Sequence, residues 1–134
     1  MRLEEALYAH LSGDADVAAL VGDRIYPLLV PQDADLPALA YQRISGVPIY
    51  AHDGPPGLAR ARVQITCLGR SYSEAKDLAA RVRAALSGYR GTMGGAGGVE
   101  VGAAFIENHR DELAEAFGPA PVARLDCLIW YQEA

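Results

Sequence analysis

The sequence predicts an α+β fold, a single sheet of four or five mostly antiparallel strands with helices packed on one face. Three observations predict it. Ala61, Val63, Ile65 and Cys67 alternate with Arg60, Arg62, Gln64 and Thr66, the period of a strand with one greasy and one wet face. Ala75, Leu78, Ala79, Val82, Ala85 and Leu86 recur at helical spacing. The elements follow in the order α-α-β-β-β-α-β-β, in which consecutive strands joined by loops favour antiparallel pairing. A chain of 134 residues, half of them apolar, suits one domain spanning 1–134 around one core.

Leu3, Ala6, Leu7, His10 and Leu11 form the apolar stripe of an opening helix, with Glu4 and Glu5 facing out at its positive end. Gly13 ends it. Asp14 can cap a second short helix lined by Val17, Ala18, Leu20 and Val21 and stopped by Gly22. Arg24–Leu28 reads as a short edge strand, because Pro27 lacks an N–H. The turn-rich VPQDADLP leads to a strand over Ala38–Ser45, and a further strand covers Ala59–Leu68. The main helix, Tyr72–Leu86, starts at Ser71-x-x-Glu74, a capping box in which each side chain takes the other's backbone N–H. Burying its three large aliphatic side chains contributes about 1.5–3 kcal/mol each before entropy is counted. Residues 87–98 contain GYRGTMGGAGG and read as a flexible connector. Strands over Val99–Asn108 and Val122–Gln132 follow, separated by a loop in which Pro119 and Pro121 bar regular pairing.

Net charge is −5, from 12 basic and 17 acidic residues, which argues against a protein that grips nucleic acid through a basic patch. It does not exclude one that surrounds DNA without holding it. The N-terminus lacks the apolar core of a signal peptide, and no apolar run is long enough to span a bilayer, so synthesis in the cytoplasm and no membrane partner are expected. Cys67 and Cys127 occupy inward strand positions without metal-ligand spacing and read as buried free thiols; a disulfide requires their strands to be neighbours.

No motif for chemistry stands out. GTMGGAGG lacks the Gly-Lys of a phosphate loop, and its GxGxxG register fails at Glu100. His52 and Asp53 are adjacent residues on a loop, without a packed scaffold to orient them as acid and base. His109 sits among acids in ENHRDE, which lacks the spacing of a metal site. No catalytic residue, cofactor or metal is assigned. Surface that looks sticky is more conspicuous. The stretch SGVPIYAHDGPPG, over about 45–58, is far longer than the two to five residues a hairpin needs. It reads as a projecting arm carrying Val47, Ile49, Tyr50, His52 and Asp53, with a reach of about 15–20 Å. Arg60 and Arg62 follow it. In the last strand, Arg124, Leu128 and Trp130 share the face opposite Leu125, Cys127 and Ile129, and Trp with Arg is typical of interface anchors. Either that face is an interface or the first helix pair covers it.

Three blocks together resemble the small phage tail completion proteins, also called tail terminators. They are LEEALYAHLSGDADVAALVGDRIYP at 3–27, GLARARVQITCLGRSYSEAKDLAARVRAAL at 57–86 and RLDCLIWYQE at 124–133. The resemblance implies an α+β structural protein without enzymatic activity or cofactor. It implies a ring of identical copies, typically a hexamer, on the head-proximal end of a tail tube, which stops tube growth and joins a head-side connector protein. DNA passes through the lumen without specific binding. Particles of this kind include phages, prophage tails and gene transfer agents. Two other readings stay open. One is a different head–tail connector component. The other is a small ligand-binding or enzymatic α+β domain using His52, Asp53 and His109.

Overall fold

A computed structural model describes residues 1–48, 57–114 and 120–132. Its elements in chain order are helices α1 (Leu3–Gly13) and α2 (Ala15–Val21), strands β1 (Ile25–Pro27), β2 (Ala38–Pro48) and β3 (Leu58–Leu68), helix α3 (Tyr72–Leu86), and strands β4 (Gly91–Met93), β5 (Val99–Ala114) and β6 (Ala120–Gln132). The fold is α+β, as the sequence predicts, but the sheet has six strands, in the order β1-β2-β3-β6-β5-β4. Every pairing is antiparallel except β1 with β2, which run parallel.

The helix boundaries follow their caps. Asp14 accepts the backbone N–H groups of Asp16 and Val17 at 3.0 and 3.1 Å, which starts α2 one residue after α1 ends. Asp14→Ala is expected to remove about 1 kcal/mol of stability, read as a lower urea midpoint at unchanged slope. At α3, Ser71 Oγ accepts the Glu74 N–H at 3.1 Å, but the return half of the capping box differs from expectation. The Glu74 carboxylate accepts the Arg70 N–H at 2.9 Å, one residue earlier, because the Arg70 guanidinium also holds it.

All three helices lie on one face of the sheet. Leu3, Leu7 and Leu11 of α1, Val17 and Val21 of α2, and Leu78, Val82 and Leu86 of α3 form one cluster with Val63, Ile65 and Cys67 of β3 and Leu125, Cys127 and Ile129 of β6. His10 closes the α1–α3 seam. Its Nε2 lies 2.7 Å from the Ala85 carbonyl oxygen, and its ring meets Tyr89 edge-on at 4.5 Å. Among the described residues, the opposite sheet face is covered at one end. There the segment between β1 and β2 folds over it, and Val30 and Leu36 pack on Ala38, Ala40, Leu68 and Val122. Arg24 fastens this segment by donating to the carbonyls of Pro37 and Leu20.

Four sequence-based boundaries shift. The glycine connector contains β4, whose Met93 is fully buried, while Gly94, Gly95 and Gly97 turn the chain back with positive φ. β2 and β3 stay paired to Pro48 and Ala59, so β2 runs three residues past the expected end at Ser45. β5 runs six residues past Asn108, carrying charges where apolar alternation is absent. Pro121 pairs within the sheet, opposite Leu113. Its missing N–H costs nothing there, since β3 ends at Leu68 opposite Val122 and Gly69 needs only the Pro121 carbonyl.

Candidate interaction surface

The helix-free face is built from residues that strand register places in rows. Val47, Arg60, Trp130 and Ala103 form one row across β2, β3, β6 and β5. Ser45, Arg62, Leu128 and Phe105 form the next, then Gln42, Gln64, Asp126 and Asn108. The row of Ala40, Thr66, Arg124 and Arg110 borders the covered end. Trp130 and Leu128 are half-buried by their sheet neighbours, and none of the three helices reaches them. Trp130 therefore belongs to the sheet's second face and not to the helix-covered core.

The Arg60 guanidinium lies 5.4 Å from the centre of the Trp130 ring, a cation–π contact between cross-strand neighbours. Arg62 takes the Glu107 carboxylate with two bonds, one of them 3.2 Å. Arg124 Nε donates to Glu112 at 2.8 Å and its Nη1 to Thr66 at 3.1 Å. The face therefore grades from an apolar and aromatic end near Val47, Trp130 and Phe105 to a band of paired charges. Val47 is 45% exposed. Ile49, Tyr50, His52 and Asp53 lie outside the described residues.

Two exposed apolar side chains escape a strict reading of alternation. Phe105 is 53% exposed and Ile44 is 49% exposed. Continued alternation from Val99 and Val101 directs Phe105 inward, but the register slips at Gly102, so Ala104 and Ile106 turn to the core and Phe105 to the open face. Glycine inside a strand is the one signal for such a bulge. Ile44 is the extra residue of a second slip, between Arg43 and Ser45.

His109 falls on the other side of the sheet, against the start of α3. Tyr72 Oη donates to Asp111 at 2.7 Å, and Lys76 Nζ lies 3.2 Å from the same carboxylate and 3.1 Å from His109 Nε2. The Tyr72 hydroxyl first, then Lys76, holds the Asp111 carboxyl below its ordinary range. This cluster ties β5 to α3, the two elements that carry it, and its members engage one another. Among the described residues no three His, Cys, Asp or Glu side chains gather as metal ligands.

Both cysteines are buried and free. Their strands are neighbours, yet Cys67 faces Ala123 and Cys127 faces Val63, four residues out of register. Burial pushes both thiols up to about 12 from an ordinary 9.0. A thiol reagent at neutral pH is expected to label neither cysteine in the folded chain and both in urea. The unfolded thiols ionise first, so this contribution to stability is complete below the ordinary value and is lost as pH rises toward about 12. Thermal midpoints across that window should fall with pH.

A family model described as Tail completion protein gp17 matches residues 5–126. Among solved structures, a chain of one described as "Virion of native gene transfer agent (GTA) particle" has the same fold. The TM-score is 0.77 at 22% identity, over 97% of this chain and 94% of that one. No curated protein matches.

Proposed function

The chain belongs to the Tail completion protein gp17 family, and from that membership we propose that it caps the head-proximal end of a phage-type tail tube as a ring of identical copies. The family is structural and not enzymatic, and no helix among the described residues is long and apolar enough to cross a membrane. In this reading the ring, a hexamer by family resemblance, halts tube growth and offers the head-side connector a docking face. DNA threads the lumen without specific contacts, in keeping with a net charge of −5. The 134 residues act as one domain, and the particle is a phage, a prophage tail or a gene transfer agent.

One observation carries the reading beyond the family: a whole sheet face, with Arg60 stacked near Trp130 at its apolar end, lies free of the three helices. A half-buried Trp beside an Arg on an open face is the composition of an interface anchor. The residues between β2 and β3, with Ile49, Tyr50, His52 and Asp53, extend this surface as an arm in the same proposal.

The test is removal of the gene from a particle-producing cell, followed by electron microscopy. Tubes of uncontrolled length without attached heads are expected, and supplying the chain in trans restores joined particles. Normal, head-bearing particles from the deleted cell would refute the proposal.

A further inference from the structure

The two open edges of the sheet lie on opposite sides of the molecule. β1 pairs with β2 only over Leu39–Tyr41, and β4 pairs with β5 only over Val99–Val101. One more bond reaches β5, from the Gly88 N–H to the Ala104 carbonyl. Beyond these, among the described residues, residues 42–48 of β2 and 105–114 of β5 have no backbone partner on their outer sides.

The phase of each strand can be read from its flanking bonds. Leu39 donates to Arg24 and Tyr41 accepts from Leu28, so both turn their backbone groups away from β3. Alternation carries Arg43 the same way, and past the slip at Ile44 it carries Gly46 and Pro48. On β5 the same reasoning starts from Ala104 and passes the second slip to His109 and Asp111. Among the described residues, each edge thus presents unpaired backbone groups, interrupted by one slip in each strand and by Pro48, which lacks an N–H. No lysine occurs in either segment.

We infer that these edges join copies of the chain to one another, the β2 edge of one subunit adding to the β5 edge of the next. This rests on the ring reading above and specifies its contact. Because the edges differ and sit at opposite ends of one sheet, the contact is head-to-tail, the kind that repeats around a closed ring. Side chains agree with it. The exposed apolar residues Ile44 and Val47 belong to one open edge and Phe105 to the other; Val47 and Phe105 lie on the helix-free face, so pairing brings apolar surface together there. Arg43, the single charge within 42–48, is held by Glu4 of α1, and Glu107, Asp111 and Glu112 of 105–114 are held by Arg62, Lys76 and Arg124, so the charges along these edges are satisfied within the chain and leave the apolar side chains to face the neighbour. The slips at Ile44 and Glu107 bend both edges, as a sheet continuing around a hole requires.

The test uses two variants of the full chain, each blocking one edge at exposed side chains. Ile44→Lys with Val47→Lys blocks β2, and Phe105→Lys blocks β5. Circular dichroism and melting establish that each folds. Analytical ultracentrifugation then reads assembly. Each variant alone is expected to stay monomeric where the unaltered chain forms multimers, a weakening of roughly tenfold or more. The equimolar mixture is expected to stop at a heterodimer, since only one usable contact remains. Dimers of the Phe105→Lys variant alone would show β2 pairing with itself and overturn the inference. Wild-type multimers from both variants would also overturn it, while leaving a ring built by other contacts. An unaltered chain that stays monomeric at millimolar concentration and on tube ends would overturn ring and edge pairing together. Should the β2 variant fail to fold, Gly46→Pro, which removes an outward N–H from β2, replaces it; should the β5 variant fail, Phe105→Ser, which removes the exposed apolar ring from β5, replaces that one.

Discussion

Replacing Leu78 with alanine is expected to lower the free energy of unfolding by about 2–5 kcal/mol. Leu78 is fully buried at the centre of α3, between Ala75 and Ala79 on the same stripe. Those alanines let the helix backbone approach the sheet closely, so little side-chain mass is available to collapse into the space left behind. The cost therefore combines lost transfer energy with an unfilled cavity. Against a total of about 5–15 kcal/mol for a domain of ordinary stability, that is a large fraction. The urea midpoint should fall sharply with the slope unchanged. Arg83→Ala, on the exposed side of the same helix, is the control and should change stability by no more than about 0.5 kcal/mol. A loss below 1 kcal/mol for Leu78→Ala would mean that α3 does not rest on β3 and β6 as described.

That contrast between helix face and strand face is also what made parts of this fold legible in the sequence. β3 and α3 could be read because each repeats an apolar side chain at its own period against one buried surface. β4 could not, since glycine dominates its neighbourhood and its anchor is one residue, Met93. The far half of β5 was hidden for a different reason: its charged side chains are satisfied by ion pairs, Asp111 with Lys76 and Glu112 with Arg124, instead of by burial. The direction of Phe105 was obscured by the slip at Gly102, which reverses inside and outside from that point on. Alternation did assign Trp130 and Leu128 to the face opposite Ile129. Whether helices covered that face depended on where α1 and α2 dock, which no local pattern encodes. Nor did the turn-rich crossing reveal that Val30 and Leu36 shield one end of it.

Trp130→Ala is expected to leave the fold standing and to abolish tail joining. Its ring is half-buried among strand neighbours and outside the helix-packed core, so truncation forfeits the cation–π contact with Arg60 and part of one row of cross-strand packing. Together these are worth about 1 kcal/mol, a drop of roughly 3–5 °C in the melting midpoint. The effect on assembly should be far larger. A half-buried aromatic anchor that becomes fully desolvated in a complex commonly carries about 2 kcal/mol or more, which is roughly thirtyfold in affinity per contact. In a ring every subunit loses the same contact, so the deficits compound around the particle. Arg60→Ala, which keeps the indole but removes its cationic neighbour, should fall between Trp130→Ala and the unaltered chain. The measurement is the yield of head-bearing particles when each variant replaces the chain in a producing cell, set beside its melting midpoint. If Trp130→Ala yields normal particles while its midpoint falls by far more than 5 °C, Trp130 serves the fold alone and the helix-free face is not the joining surface.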